Sequence, residues 1–300
     1  MGKIAFVFSG QGAQYSGMGK ELYEASPAAR AVYDMADSVR EGTSKQCFEG
    51  SAEELGRTVN TQPCVFTADL AAARAVLEKG ITPDCVAGFS LGEIAALAFS
   101  KMLTDEEAFR LVCKRGELMD KAAAENPGAM AAVMKITPRQ VEKICEKFDK
   151  TYPVNYNSPA QTVVATTSAD AEAFCEAVKK EGGKAKLLAV SGAFHSPFMS
   201  QAAEGLAEYL ENVDFSEPEL PVYSDVTAKP YEGDYRALVR AQVESPVRWQ
   251  SIIENMAADG VDTFIEVGVG KTLTGLIKRI NAGVKAFKVE TPDDIAALDI

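Results

Sequence analysis

Asp84-Cys85-Val86-Ala87-Gly88-Phe89-Ser90-Leu91-Gly92-Glu93-Ile94 is the stretch on which the fold turns. Asp84–Phe89 is short and apolar, as a strand buried on both faces reads. Leu91–Ser100 continues as a helix almost without a loop, so the pair marks a parallel α/β unit. The junction, Gly88 to Gly92, is a G-x-S-x-G. Glycine and serine are common, and the pattern alone says little. Between a strand and a helix it has the setting of a nucleophile elbow. The glycines allow a tight turn that lifts the Ser90 hydroxyl to the helix N-terminus. Backbone N–H groups and the helix dipole there favour a developing oxyanion. The plainer alternative is a structural turn with a capping serine.

Upstream, Lys3–Phe8 reads as another buried strand, Met18–Ala36 has helical periodicity, and Pro63–Lys79 is an Ala-rich helix stopped by Gly80. Downstream, Thr104–Ala124 is a helix with Thr104 and Glu107 at capping-box positions. Asn126-Pro127-Gly128 then breaks the texture. Strand Ala129–Lys135, helix Thr137–Phe148, strands Val154–Asn157 and Thr162–Thr166, helix Ala169–Lys180 and strand Lys184–Val190 follow. That β-α-β-β-α-β order is the ferredoxin-like pattern. The α/β texture then resumes with helix Met199–Asn212, strand Pro221–Ser224, helices Tyr235–Val243 and Trp249–Ala258, strand Thr263–Val267 and helix Leu273–Ile280. The expected class is α/β: a catalytic domain of residues 1–125 and 191–300 with a mostly parallel sheet, interrupted by a ferredoxin-like subdomain at 126–190.

The chain has 300 residues, 43 acidic against 31 basic, and a net charge of −12. Nucleic acid and anionic membrane both require a basic footprint, so neither is an expected partner. No run approaches the ~18 apolar residues of a membrane span, and the first apolar run is too short for a signal peptide, so a cytoplasmic location is expected. The six cysteines are scattered without a C-x-x-C and read as small core residues. A single histidine, His195, excludes a multi-histidine metal site. It is also the one side chain whose ordinary pKa suits a general base for a serine. A chain re-entering the core after the insertion can bring it to Ser90. Gly10-Gln11-Gly12 fails the dinucleotide fingerprint because position 15 is Tyr15, yet a Gln in such a turn can help form an oxyanion hole. Gly270-Lys271-Thr272 mimics the end of a P-loop, but Ile265 stands where its first glycine belongs.

Together these residues resemble the malonyl-CoA:acyl carrier protein transacylases of bacterial fatty acid synthesis. The resemblance runs from about residue 3 to residue 280. It is carried by Phe6–Gln14, Gly88–Glu93, Arg115-Gly116, Gly128-Ala129-Met130, Val154–Pro159, Gly192–Pro197, Pro246–Trp249 and Glu266–Lys271 with Leu273–Leu276. It implies an α/β-hydrolase-like core. It also implies that Ser90 attacks the thioester of malonyl-CoA with His195 as base. The oxyanion would lie between the N–H groups of Gln11 and Leu91, and the backbone carbonyl of Gln242 would orient the histidine. Arg115 would pair with the malonyl carboxylate, as a planar guanidinium can. Asn157 would line the cleft, and Phe194 would disfavour a methyl branch on the substrate. The acidic carrier needs local basic patches: residues 266–288 hold five basic residues against Glu266, with Lys278 and Arg279 facing solvent, and Lys184 and Lys186 precede the return to His195. The implied enzyme works as a monomer with malonyl-CoA and acyl carrier protein as its partners. It needs no metal or cofactor.

The chain departs from that family at three places. Phe89 stands where His is usual, Val269 where Pro is, and Asp225 where Asn is common. The main rival is a serine esterase or thioesterase on the same elbow. No acid between Ser90 and His195 has a triad setting, and Gln11 and Arg115 suit malonyl transfer better. A carrier-binding relative without catalysis, or a polyketide-synthase acyltransferase domain, are further alternatives.

Overall fold

In the computed structural model, which describes residues 2–190 and 192–300, strand Lys3–Phe8 (β1) is the middle strand of a five-stranded sheet. Phe6 and Phe8 enter the hydrophobic core on one face, and Ala5 and Val7 enter a second core on the other. Both faces are covered, so the strand reads as an unbroken apolar run. Its neighbours are β2 (Cys85–Gly88) and, on the other side, β8 (Val261–Val267). β7 (Val222–Tyr223) and β9 (Lys285–Val289) form the edges, and every pairing is parallel. Helices Thr58–Glu78, Leu91–Phe99 and Asp105–Glu125 cover the Phe6 face. Helices Trp249–Ala258 and Thr272–Ile280 cover the Ala5 face.

The second sheet is antiparallel. It holds β3 (Gly128–Met134), β4 (Tyr152–Ser158), β5 (Gln161–Thr167) and β6 (Lys184–Leu187) in the order β4-β5-β3-β6. Ala131, Val133 and Val164 pack under helices Pro138–Cys145 and Ala171–Lys180 in a separate core. The opposite face turns towards the first sheet. Val247, buried in the core beside Ala5 and Val7, holds β4: Tyr156 N–H donates to its carbonyl at 2.9 Å, and its own N–H donates to the Val154 carbonyl at 2.9 Å.

The α/β class with a mostly parallel sheet is as expected, but several elements are not. The helix expected at Met18–Ala36 is two, Lys20–Ala25 and Pro27–Val39. Ser26 lies extended between them because Pro27 restricts the residue before it, and its side chain caps Ala29 N–H. The helix expected from Pro63 begins at Thr58 and carries Pro63 inside it. Its first turns are buried against the core, and that burial outweighs one lost hydrogen bond. The last expected strand of the insertion ends at Leu187 rather than Val190. Helices Thr43–Glu49, Ala52–Gly56 and Pro292–Ala296, and strand β9, were not expected. Met1 and Ser191, the first residues of the two expected core segments, lie outside the described residues.

Candidate active site

Packing demands both elbow glycines. A Cβ at Gly88 would lie 1.9 Å from the Gly92 carbonyl carbon, and one at Gly92 would lie 2.4 Å from the Phe8 carbonyl oxygen. Only bare backbones let β2, the elbow helix and the end of β1 approach so closely. Ser90 between them adopts φ 58°, ψ −110°, a left-handed backbone that a non-glycine residue holds only under constraint. Its N–H donates to Asp225 Oδ2 at 2.8 Å.

His195 also has a positive φ, 59°, and is buried. Its Nε2 lies 2.7 Å from Ser90 Oγ, and its Nδ1 lies 2.9 Å from the Gln242 carbonyl oxygen. A carbonyl can only accept, so Nδ1 carries the proton and Nε2 is left to take one from the serine. Burial and the nearby Arg115 charge lower the histidine pKa to about 4. The ring is therefore neutral at pH 7, the state a base requires.

Arg115, in the helix Asp105–Glu125, is fully buried. Its Nη1 donates to Gln62 Oε1 at 2.8 Å, and its Nη2 donates to Gln242 Oε1 at 2.8 Å and to Ser90 Oγ at 3.2 Å. Nε has no partner among the described residues. Burial lowers its pKa to about 10, which still leaves it charged at neutral pH. A cavity of about 110 Å³ opens on Ser90, His195 and Arg115, with Met119, Met130 and Phe194 among its walls. A buried cavity of ~150 Å³ accepts benzene, so this one suits a short acyl group.

Gln11, Phe89, Asn155, Val163, Leu188 and Val190 also line an outer cleft of about 430 Å³, which joins the inner cavity to the surface. Asn157 lines that cleft and not the cavity. The N–H groups of Gln11 and Leu91 make no hydrogen bond among the described residues. Phe89, where histidine was the usual residue, packs edge-on against Trp249 at 5.5 Å.

The four basic residues expected to meet a carrier are not in the site. They flank the cleft: Lys184 and Lys186 are exposed on β6, just before the cleft-lining Leu188–Val190, and Lys278 and Arg279 are exposed on the helix whose first turns line the other lip. Leu273, Leu276 and Ile277 of that helix are buried, and Ile280 packs half-buried against the same core. Lys288 is not a free charge, because it pairs with Asp294 at 3.2 Å and Glu290 at 3.5 Å.

Four partners escaped sequence reasoning: Gln62, Glu93, Asp225 as the acceptor for Ser90 N–H, and the Gln242 side chain. Gln242 Nε2 donates to the Ser90 carbonyl at 2.7 Å and to Asp225 Oδ2 at 3.1 Å. Glu93 looks like an ordinary acid in a helix's first turn, and the others lack any local pattern. Among the described residues no three His, Cys, Asp or Glu side chains gather where they could hold a metal ion, and no helix is long and apolar enough to cross a membrane.

Residues 5–291 match the family model of the acyl transferase domain. The malonyl CoA-acyl carrier protein transacylase of Bacillus subtilis (strain 168) is 42% identical over 98% of this chain and 96% of its own. The crystal structure of malonyl CoA-acyl carrier protein transacylase from Clostridium perfringens superposes with a TM-score of 0.94 at 36% identity, covering 98% of this chain and 95% of that one. A malonyl-transacylase solved in complex with a type II polyketide-synthase acyl-carrier protein gives a TM-score of 0.94 at 34% identity, covering 98% of each chain.

Proposed function

The chain belongs to the acyl transferase family, and from that premise we propose that it moves malonyl from malonyl-CoA to the pantetheine thiol of an acyl carrier protein, through an ester on Ser90, in fatty acid biosynthesis. The observation that carries this reading is Arg115 Nη2 at 3.2 Å from Ser90 Oγ, both lining one cavity. In a malonyl ester the free carboxylate is three covalent bonds from the serine oxygen, so it falls within reach of that guanidinium.

Ser90 Oγ attacks the thioester carbonyl as His195 Nε2 takes its proton. The Nδ1–H bond to the Gln242 carbonyl orients the ring and stabilises the imidazolium, the part an acid plays in a hydrolase triad. The N–H groups of Gln11 and Leu91 receive the oxyanion. His195 then gives its proton to the departing thiolate, and the carrier's thiol attacks the ester by the reverse path. Asn157 lines the cleft along which the pantetheine arm lies, and Phe194 crowds any branch beside the malonyl methylene. Lys184, Lys186, Lys278 and Arg279 receive the acidic carrier at the lips. The enzyme acts as a cytoplasmic monomer and needs no cofactor besides its substrates. We read the core as α/β-hydrolase-like, in residues 1–125 and 191–300, and residues 126–190 as ferredoxin-like; the strand order β4-β5-β3-β6 supports the latter.

Mass spectrometry after incubation with malonyl-CoA, then with acyl carrier protein, tests this. One malonyl group should load on Ser90 and pass to the carrier. Ser90→Ala should not load, and a mutant that loads normally overturns the assignment.

A further inference from the structure

Beneath the elbow lie two carboxyl groups that no step above uses. Glu93, in the first turn of the elbow helix, and Asp225, just after β7, are each 1% exposed. They face one another: Asp225 N–H donates to Glu93 Oε2 at 2.8 Å, and Gln242 Nε2 lies 3.3 Å from that oxygen and 3.1 Å from Asp225 Oδ2. Neither forms an ion pair with Arg115, whose guanidinium hydrogens go to Gln62, Gln242 and Ser90. Glu93 has the richer supply of donors, with Tyr231 O–H on its other oxygen. Asp225 Oδ2 takes the N–H of Ser90, while its Oδ1 is buried with no donor aimed at it among the described residues. A buried carboxylate oxygen without a donor is costly. A neutral carboxylic acid in the same place costs far less, because no charge is left buried without a partner.

We propose that Asp225 is a positioning residue held as a neutral carboxylic acid: it and Glu93 keep one proton between them, and its Oδ2 anchors the backbone N–H of the nucleophilic serine. This rests on Ser90 being the nucleophile. Two like charges side by side in a dry site cannot both ionise, so one proton stays with the pair. Burial, and the Glu93 carboxyl beside it, push Asp225 well above the usual carboxylate range. Facing Asp225 are Glu93 and Ser90 from the elbow, Tyr231 from the loop after β7, and Arg115 from the long helix; Arg115 favours ionisation, and Glu93 opposes it. The anchor holds Ser90 in its left-handed conformation. Through Gln242 Nε2 it also steadies the residue whose carbonyl orients His195 and whose Oε1 holds Arg115. The neutral acid leaves Arg115 as the cation available to an incoming malonyl carboxylate.

An amide has the same shape, one acceptor, donor hydrogens and no charge. Asp225→Asn should therefore load malonyl within about threefold of the parent. Asp225→Ala leaves the Ser90 N–H unpaired and should lower kcat for loading by about five- to a hundredfold with little change in KM. Recovery in the Asn variant separates anchoring from mere bulk. The protonation claim is read from unfolding equilibria measured against pH. Above the ordinary Asp pKa of ~3.9, the unfolded parent releases a proton that the folded parent keeps, so raising pH favours unfolding. The ratio of the unfolding constants, parent over Asp225→Asn, should rise about tenfold per pH unit between about pH 5 and 7. An infrared difference spectrum, parent minus Asp225→Asn, should show a carboxylic-acid carbonyl band at neutral pH. Parallel stability curves with no such band overturn the proposal, as does an Asn variant as slow as the Ala variant. The stability and infrared measurements need no turnover, so they stand apart from a failure of Ser90 to load malonyl. They also decide the matter should Asp225→Ala fail to fold.

Discussion

Replacing Arg115 with alanine should convert a malonyl-selective site into an indifferent one. The guanidinium is fully buried, and its pKa falls from the ordinary arginine range of ~12.5 to about 10, chiefly through burial. At ~1.4 kcal/mol per pH unit, the empty site holds the charged arginine at a cost of about 3 kcal/mol. A malonyl carboxylate offsets that cost by supplying the missing countercharge. Truncating one member of a buried charge pair typically costs about 2–5 kcal/mol, which corresponds to about a 30- to 5,000-fold loss. Acetyl-CoA has no carboxylate, so its loading should fall far less. The assay is kcat/KM for acylation of Ser90 from each thioester, read by quenched intact-mass measurement. The quantity of interest is the malonyl-to-acetyl ratio, because Arg115 also touches Ser90 Oγ and its loss can slow both reactions. The melting temperature should shift by only a few degrees, since Gln62 and Gln242 lose a donor while the fold sheds a poorly solvated charge. An equal fall for malonyl and acetyl would refute the reasoning.

His195→Ala should lower the loading rate by about 10²–10⁴-fold, as expected on removing a general base. Burial and the Arg115 charge lower the His195 pKa to about 4, so with His195 as the proposed base kcat/KM for loading should hold through mildly acidic pH and fall only near pH 4; a midpoint near the ordinary histidine value of ~6.5 would contradict the buried, arginine-facing ring. Reversing charge at Lys186 and Arg279 together should slow transfer to the carrier, more at low salt than at high salt, while loading from malonyl-CoA changes little; equal loss in both half-reactions, or none, refutes the docking surface. Phe194 should make methylmalonyl-CoA a poor donor, checked by competition with malonyl-CoA, and equal use of the two would remove its assigned role.

Local chemistry by itself determined a good deal of this protein. Two short apolar runs, Lys3–Phe8 and Asp84–Phe89, read as buried strands, and in β1 and β2 alternate residues enter opposite cores. G-x-S-x-G had to be a tight strand-to-helix turn, because neither glycine has room for a Cβ. Thr104 with Glu107 closes a capping box as written in the chain. A lone histidine left one candidate for the base. The spacing of these residues is visible in a sequence, and the fold supplies the contacts that make each spacing necessary.

Only tertiary structure decided the rest. Tertiary burial carried the helix Thr58–Glu78 back across Pro63, against the local signal. The proton-bearing nitrogen of His195 is set by a carbonyl 47 residues away, and Arg115 is aimed by glutamines 53 and 127 residues away. Glu93 and Asp225 are 132 residues apart; in the sequence Glu93 is an acid in a helix's first turn and Asp225 a departure from a common Asn, and nothing there joins them. Their meaning comes from being buried together beside the serine. A polar side chain's energy is set by which groups the fold brings within about 3 Å and by how much water it removes, and no spacing along the chain records either.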